Sequence, residues 1–101
     1  MKYEVYWTDK AINSFEELIE FMQKNYSHKE IETLLRQTET TIQNISLNPE
    51  MFKLSDKRKE IRKGFVNKYV SLFYRVFKRK KQIDLLRFWE IRQNPVKLNT
   101  L

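Results

Sequence analysis

Arginine is the side chain best shaped to grip phosphate, because its planar fork offers paired donors and keeps its charge at any ordinary pH. Arg62, Arg75 and Arg92 all sit in or beside strand-like runs of the C-terminal half. Gathered around one scissile phosphate, they would stabilise the charge that builds on phosphorus during attack by a 2′-hydroxyl. Metal-free RNA cleavage needs two further jobs done: a base for that hydroxyl and an acid for the leaving 5′-oxygen. Lys63 or Lys68 suits the base role only if neighbouring cations drive its pKa down. The single histidine, His28, falls just after a helix start, on a different part of the chain. Arg62 and Arg92 also have a plainer use, since Glu60 and Glu90 stand two residues away and can pair with them.

The charge around these candidates is divided along the chain. Residues 53–101 hold 15 Lys or Arg against 4 Asp or Glu, whereas residues 1–52 hold 5 against 9. The basic half also holds the strand-like runs, so its charge belongs on a sheet. A sheet with one cationic face can hold a polyanion or an acidic protein segment. The run Lys78-Arg79-Lys80-Lys81 reads first as a solvated hairpin turn. Tyr69, Phe73 and Phe77 read first as packing residues, with stacking on bases as the alternative.

At 101 residues and 41% hydrophobic content, residues 1–101 are expected to form a single domain with one core. The chain has no cysteine, which excludes disulfides, thiolate nucleophiles and Cys-based metal sites. No cofactor and no metal are expected. No segment approaches the ~20 apolar residues that span a bilayer, so no membrane partner is expected and the cytoplasm is the expected location.

The elements that would position the candidates can be read in order. Lys2 to Trp7 alternates as a short strand, with Tyr3, Val5 and Trp7 on one side. Thr8 can cap a first helix whose apolar stripe is Ala11, Phe15, Leu18, Ile19 and Met22. Ser27 and Glu30 have the spacing of a capping box and open a second helix. Its stripe is Ile31, Leu34, Leu35, Thr38, Ile42 and Ile45, and Asn48-Pro49 stops it. Glu60 to Val66 reads as a strand broken by Gly64, the only glycine, which predicts a bulge or a close backbone approach. Tyr69 to Phe77 is the clearest strand, and Gln82 to Ile91 returns from the hairpin. In that last strand, Leu85-Leu86 and Phe88-Trp89 put bulk on both sides, so its facing is ambiguous; Trp89 is assigned to the core.

The predicted fold is therefore α+β and two-layered: an N-terminal strand, an antiparallel helix hairpin, then a three-stranded antiparallel meander (β-α-α-β-β-β). The helices cover one face, and the opposite face stays open with the basic residues on it.

Four stretches give this order a family resemblance. They are Trp7-Thr8 with Ala11, Phe15 and Leu18; Ile45 to Pro49; Glu60-Ile61-Arg62-Lys63; and Tyr69 to Val76 leading to the run from Arg87 to Pro95, which ends in Arg92-Gln93-Asn94-Pro95. Together they resemble the RelE/ParE superfamily of small bacterial toxins from type II toxin–antitoxin systems. The resemblance implies a growth inhibitor, with a part in plasmid stabilisation, neutralised by a cognate antitoxin that has an acidic toxin-binding segment. A toxin–antitoxin hetero-oligomer is expected. The target it implies is DNA gyrase, as for ParE-like members, or one not assigned. The alternative is a RelE-like, ribosome-dependent mRNA endonuclease acting through arginines on the basic sheet face.

For that alternative, Arg62 and Arg92 match basic positions of the RelE-like pattern and are the candidate catalytic residues, with Arg75 and Lys63 behind them. A further arginine of that pattern falls at Ser71 here, and the acid–base position beyond the last strand falls near Leu98. Neither side chain can do that work, so the RelE-like set is incomplete.

Overall fold

The computed structural model describes residues 2–92. Strand β1 (Glu4–Trp7) leads into helix α1 (Asp9–Asn25) and helix α2 (His28–Leu47), followed by β2 (Arg62–Phe65), β3 (Val70–Phe77) and β4 (Gln82–Glu90). The α+β, β-α-α-β-β-β order predicted from the sequence is thus the observed one. The meander β2-β3-β4 is antiparallel, and β1 adds to its far side parallel to β4, giving the sheet order β1-β4-β3-β2.

Local chemistry fixes the helix starts. Thr8 Oγ1 accepts from the Ala11 amide at 3.1 Å and donates to the Leu85 carbonyl at 2.6 Å, so one hydroxyl caps α1 and ties it to β4. Ser27 and Glu30 form the full capping box of α2. Each such cap stabilises by about 1 kcal/mol.

The helices cover one face of the sheet. Leu18 and Met22 of α1 and Leu34 and Ile45 of α2 meet Val70, Leu72, Tyr74, Ile83, Leu85 and Phe88 in the main core. Trp7 stacks on Phe88 at 5.2 Å, and Phe15 meets both rings edge-on. The predicted stripe of α2 needs one correction: Leu35 is exposed, and Thr41 is buried in its stead.

A bulge resolves the facing of β4. Phe73 pairs with Arg87 but Tyr74 pairs with Leu85, so Leu86 is the extra residue. The inserted residue lets Leu85 and Phe88 both point at the helices while Arg87 and Trp89 point away. β1 pairs with β4 only as far as Leu85. Beyond it the Phe88 amide donates instead to Ser14 Oγ of α1, at 2.9 Å and fully buried. That bond explains a buried serine in an apolar helix stripe.

Gly64 marks a close approach, as predicted, and the bulge lies elsewhere. A Cβ at Gly64 would sit 2.8 Å from Cδ2 of Phe52. Residues 49–55 form a strap over this end of the sheet. Tyr74 donates to the Pro49 carbonyl at 2.8 Å, and the Lys63 amide donates to the Lys53 carbonyl at 3.0 Å.

The outer face differs from the expected open, basic surface. Ile61, Phe73 and Trp89 are buried there as a second small apolar cluster with Leu86 packed against it. Trp89 is buried as predicted, but in this cluster and not in the main core. Phe73 retains 4% exposure, which removes it as a platform for bases. The segment Val96 to Leu101, expected as a tail or a last helix, lies outside the described residues, as does Leu98.

Candidate functional site

Strand alternation sorts the candidate cations onto two faces. Arg62 pairs in register with Tyr74, and cross-strand partners share a face, so Arg62 belongs to the helix-facing side. Lys63 pairs with Phe73 and belongs to the outer side, as does Arg75. Arg92 follows β4 and turns back to the helix-facing side, where its partner Glu90 is 0% exposed.

Arg92 is held by one carboxylate and two rings. Its Nε donates to Glu90 Oε1 at 2.8 Å and its Nη2 to Oε2 at 2.7 Å, and its own amide donates to the same carboxylate at 2.8 Å. The guanidinium lies 3.9 Å from the ring centroid of Tyr69 and 4.6 Å from that of Tyr26. The Glu90 bonds hold the Arg92 pKa above its ordinary value. This fork ties the end of β4 to the end of α1 and the start of β3. It forms one wall of an open groove of about 360 Å³ with Tyr26, Lys29, Gln37, Asn67 and Tyr69. The predicted pairing of Arg92 with Glu90 is therefore present.

Arg62 pairs differently from the expectation. Glu60 is taken by Arg58 at 2.9 Å, while Arg62 donates to the Phe52 carbonyl at 2.8 Å and to Glu50 at 3.3 Å. Glu50 also meets Lys78 at 2.9 Å, so one carboxylate joins the strap to β2 and to the β3–β4 turn. The hydrogen bond and charge of Lys78, then the charge of Arg62, hold Glu50 below the usual carboxylate range. Glu60 is lowered as well, first by a hydrogen bond to its own backbone and then by Arg58.

Arg62 and Arg92 do not converge. Arg62 stands level with Tyr74, and Arg92 lies just beyond Glu90, which pairs with Val70. The four residue steps from Val70 to Tyr74 place Arg62 roughly 13 Å from Glu90 along β3, with two strand spacings between them besides, and Arg92 lies two residues further on. One phosphate cannot meet both.

The outer-side cations lie over rings. Lys63 Nζ is 5.6 Å from the ring centroid of Phe65 and 5.9 Å from that of Phe73, and the Arg75 guanidinium is 4.7 Å from that of Phe77. Lys80 also approaches the Phe77 ring, at 5.1 Å. Ser71 is buried between Phe65 and Trp89 in register. Lys68 sits 5.0 Å from the ring of Tyr69, outside the Lys63–Arg75 group. His28 opens α2, between Ser27 and Lys29 of the groove beside Arg92. Burial pushes the Tyr74 hydroxyl up to about 12, so it stays protonated at neutral pH. Among the described residues, no group of three or more His, Cys, Asp or Glu is placed to hold a metal ion. No helix among them is long and apolar enough to cross a membrane.

Sequence reasoning named Glu90 as a partner of Arg92 but missed Tyr26 and the contact of Arg92 with Tyr69, and it missed Glu50 as the partner of Arg62. Tyr26, immediately before the capping box, was the available signal: an aromatic at a helix junction that no apolar stripe used.

The comparisons with known proteins agree with this architecture. A family model described as "ParE toxin of type II toxin-antitoxin system, parDE" matches residues 5–95. No curated protein matches the chain. Several solved structures share the fold. The toxin–antitoxin complex RelBE2 from Mycobacterium tuberculosis superposes with a TM-score of 0.65 at 16% identity, over 89% of this chain and 99% of that one. A mutant of the E. coli toxin RelE in the free state gives 0.63 at 15% identity, over 97% and 93%. A copper-bound mutant toxin from Helicobacter pylori gives 0.56 at 19% identity, over 87% and 93%.

Proposed function

This chain belongs to the ParE toxin family of type II toxin–antitoxin systems, and from that premise we propose that it stops growth by binding DNA gyrase and not by cutting RNA. The toxin class follows from the family; the target is the inference. What supports it is the placement of Arg62 and Arg92. Each is held by a carboxylate, at opposite ends of the helix-facing side of the sheet. A phosphoryl-transfer site needs its cations convergent and aimed at one phosphate. Arg62 and Arg92 instead fasten the strap and the helix hairpin to the sheet.

The toxin acts in the cytoplasm and is held inactive by a cognate antitoxin. A structural neighbour is itself a toxin–antitoxin complex. The strongly basic C-terminal half of this chain suits a partner with an acidic toxin-binding segment.

The test is macromolecular labelling after inducing the chain alone in a bacterial host. Thymidine incorporation is expected to fall before methionine incorporation. An immediate fall in methionine uptake with cleaved transcripts would overturn the gyrase reading and favour the ribosome-dependent endonuclease. In that case Lys63 and Arg75, on the outer side, become the residues to substitute.

A further inference from the structure

Lys63 and Arg75 form no ion pair among the described residues. Asp84 stands opposite Arg75 in register, but it accepts from Gln82 at 2.7 Å, and Glu60, whose pKa Arg75 helps to lower, is bonded to Arg58. Lys63 and Arg75 sit on neighbouring strands, two residues out of register, so their backbones are roughly 8 Å apart.

The basic runs at 57–59 and 78–81 flank them at the same end of the sheet. The first precedes the start of β2, the second follows the end of β3, and those two ends are paired through Arg62 and Tyr74.

The rings on this face offer little platform for unstacked bases, although Phe65 keeps 51% exposure. Phe73 and Trp89 are 4% and 5% exposed. The rings of Phe65 and Phe77 are engaged by Lys63, Arg75 and Lys80. A single strand is held by stacking as well as by charge, whereas duplex backbone needs only well-placed cations.

We propose that the β2–β3 part of the outer face, with Lys57, Lys59, Arg79 and Lys80 of the neighbouring basic runs beside it, docks the phosphate backbone of duplex DNA. The choice of DNA over RNA rests on the gyrase target proposed above: the toxin then touches both the enzyme and the DNA the enzyme holds. Only phosphates are touched, so binding is independent of base sequence and steeply dependent on salt.

The experiment is a fluorescence-anisotropy titration of the full chain against a short labelled DNA duplex, across a range of salt concentrations. The same sequence as single-stranded DNA and as duplex RNA provides the comparison. Lys63→Gln/Arg75→Gln is tested beside Lys24→Gln/Arg36→Gln, which removes the same charge from the helix layer. Urea melts establish that both variants fold. The outer-face variant is expected to flatten the slope of log affinity against log salt by about 1.8, at about 0.9 for each phosphate that is no longer neutralised. The helix-layer variant is expected to keep the wild-type slope.

Equal losses in the two variants would reduce the effect to net charge and overturn the proposal. Tighter binding to single strands or RNA, or no binding, would overturn it too. Retention of gyrase on the immobilised toxin without DNA is measured separately. Failure there overturns the target, whereas the titration alone decides the DNA surface.

Discussion

Arg62 and Arg92, on the helix-facing side of the sheet, each meet a carboxylate, Arg92 with two tyrosine rings besides, whereas Lys63 and Arg75, on the outer side, meet aromatic rings and no carboxylate among the described residues. The two arrangements leave very different fields. An ion pair cancels most of the charge seen from outside. A ring attracts the cation through its quadrupole and leaves the net charge intact. The helix-facing arginines therefore serve the fold, and the outer cations remain available to a polyanion. Residue type alone does not separate the two groups; the strand face each residue occupies does.

If that division holds, substitutions on the helix-facing side cost stability and those on the outer side cost binding. Arg92→Ala should show the largest effect, because it leaves the buried Glu90 carboxylate without its cation. Breaking a fully buried pair costs about 3–5 kcal/mol. Arg92 keeps 33% of its side chain in water, so about 2–3 kcal/mol is expected, read from the midpoint of urea unfolding. Arg92→Lys should recover little, since an ammonium cannot make the two-pronged bond or lie flat between two rings. An unchanged midpoint for Arg92→Ala would break the comparison at its strongest point.

Gly64→Ala comes next. The new Cβ would lie 2.8 Å from the Phe52 ring, so the ring must move and loosen the strap. A loss of about 1–2 kcal/mol is expected from such overpacking, and amide exchange should accelerate in residues 49–55 before it does elsewhere.

Tyr74→Phe removes the bond to the Pro49 carbonyl and should cost about 1 kcal/mol. It also changes the alkaline limit of the fold. An unperturbed tyrosine ionises near 10.0, and Tyr74 in the folded chain near about 12. The folded state thus holds a proton that the unfolded state gives up. The stability tied to Tyr74 is complete below pH 10 and is lost as pH rises through about 12. Phenolate absorbance should show an ionisation at about 12 that Tyr74→Phe abolishes.

Lys63→Gln is the smallest change for the fold. A shift below about 0.5 kcal/mol is expected in the urea melt, as for most surface substitutions. A larger loss would mean that Lys63, too, is a fastening of the fold, and the distinction between the faces would blur.

Parts of this were legible from residue order. The capping box at Ser27 and Glu30 and the cap at Thr8 are local motifs whose partners lie within three residues, and both form as predicted. The hairpin of β3 and β4 was legible for the same reason. Leu35 was not, because a helix stripe wide enough to include it depends on how closely the neighbouring layer approaches. Nor was the facing of β4, since a bulge is a tertiary adjustment between Leu85 and Phe88. At the candidate site, the Glu90–Arg92 pair could be read from spacing. The pairing of Arg62 with Glu50 could not, because they stand 12 positions apart and only the strap's path brings them together.

The sequence by itself determined the order of elements, the start of each helix, the basic bias of the C-terminal half and the resemblance to the toxin superfamily. These depend on neighbours along the chain and on periodicity, which no distant contact can alter. Only the tertiary structure decided where β1 docks, which cations share a face and which of them are neutralised. Those outcomes turn on strand register, where a shift of one residue sends a side chain to the other face. The bulge at Leu86 shifts that register within β4, and the strap at 49–55 brings Glu50 to Arg62.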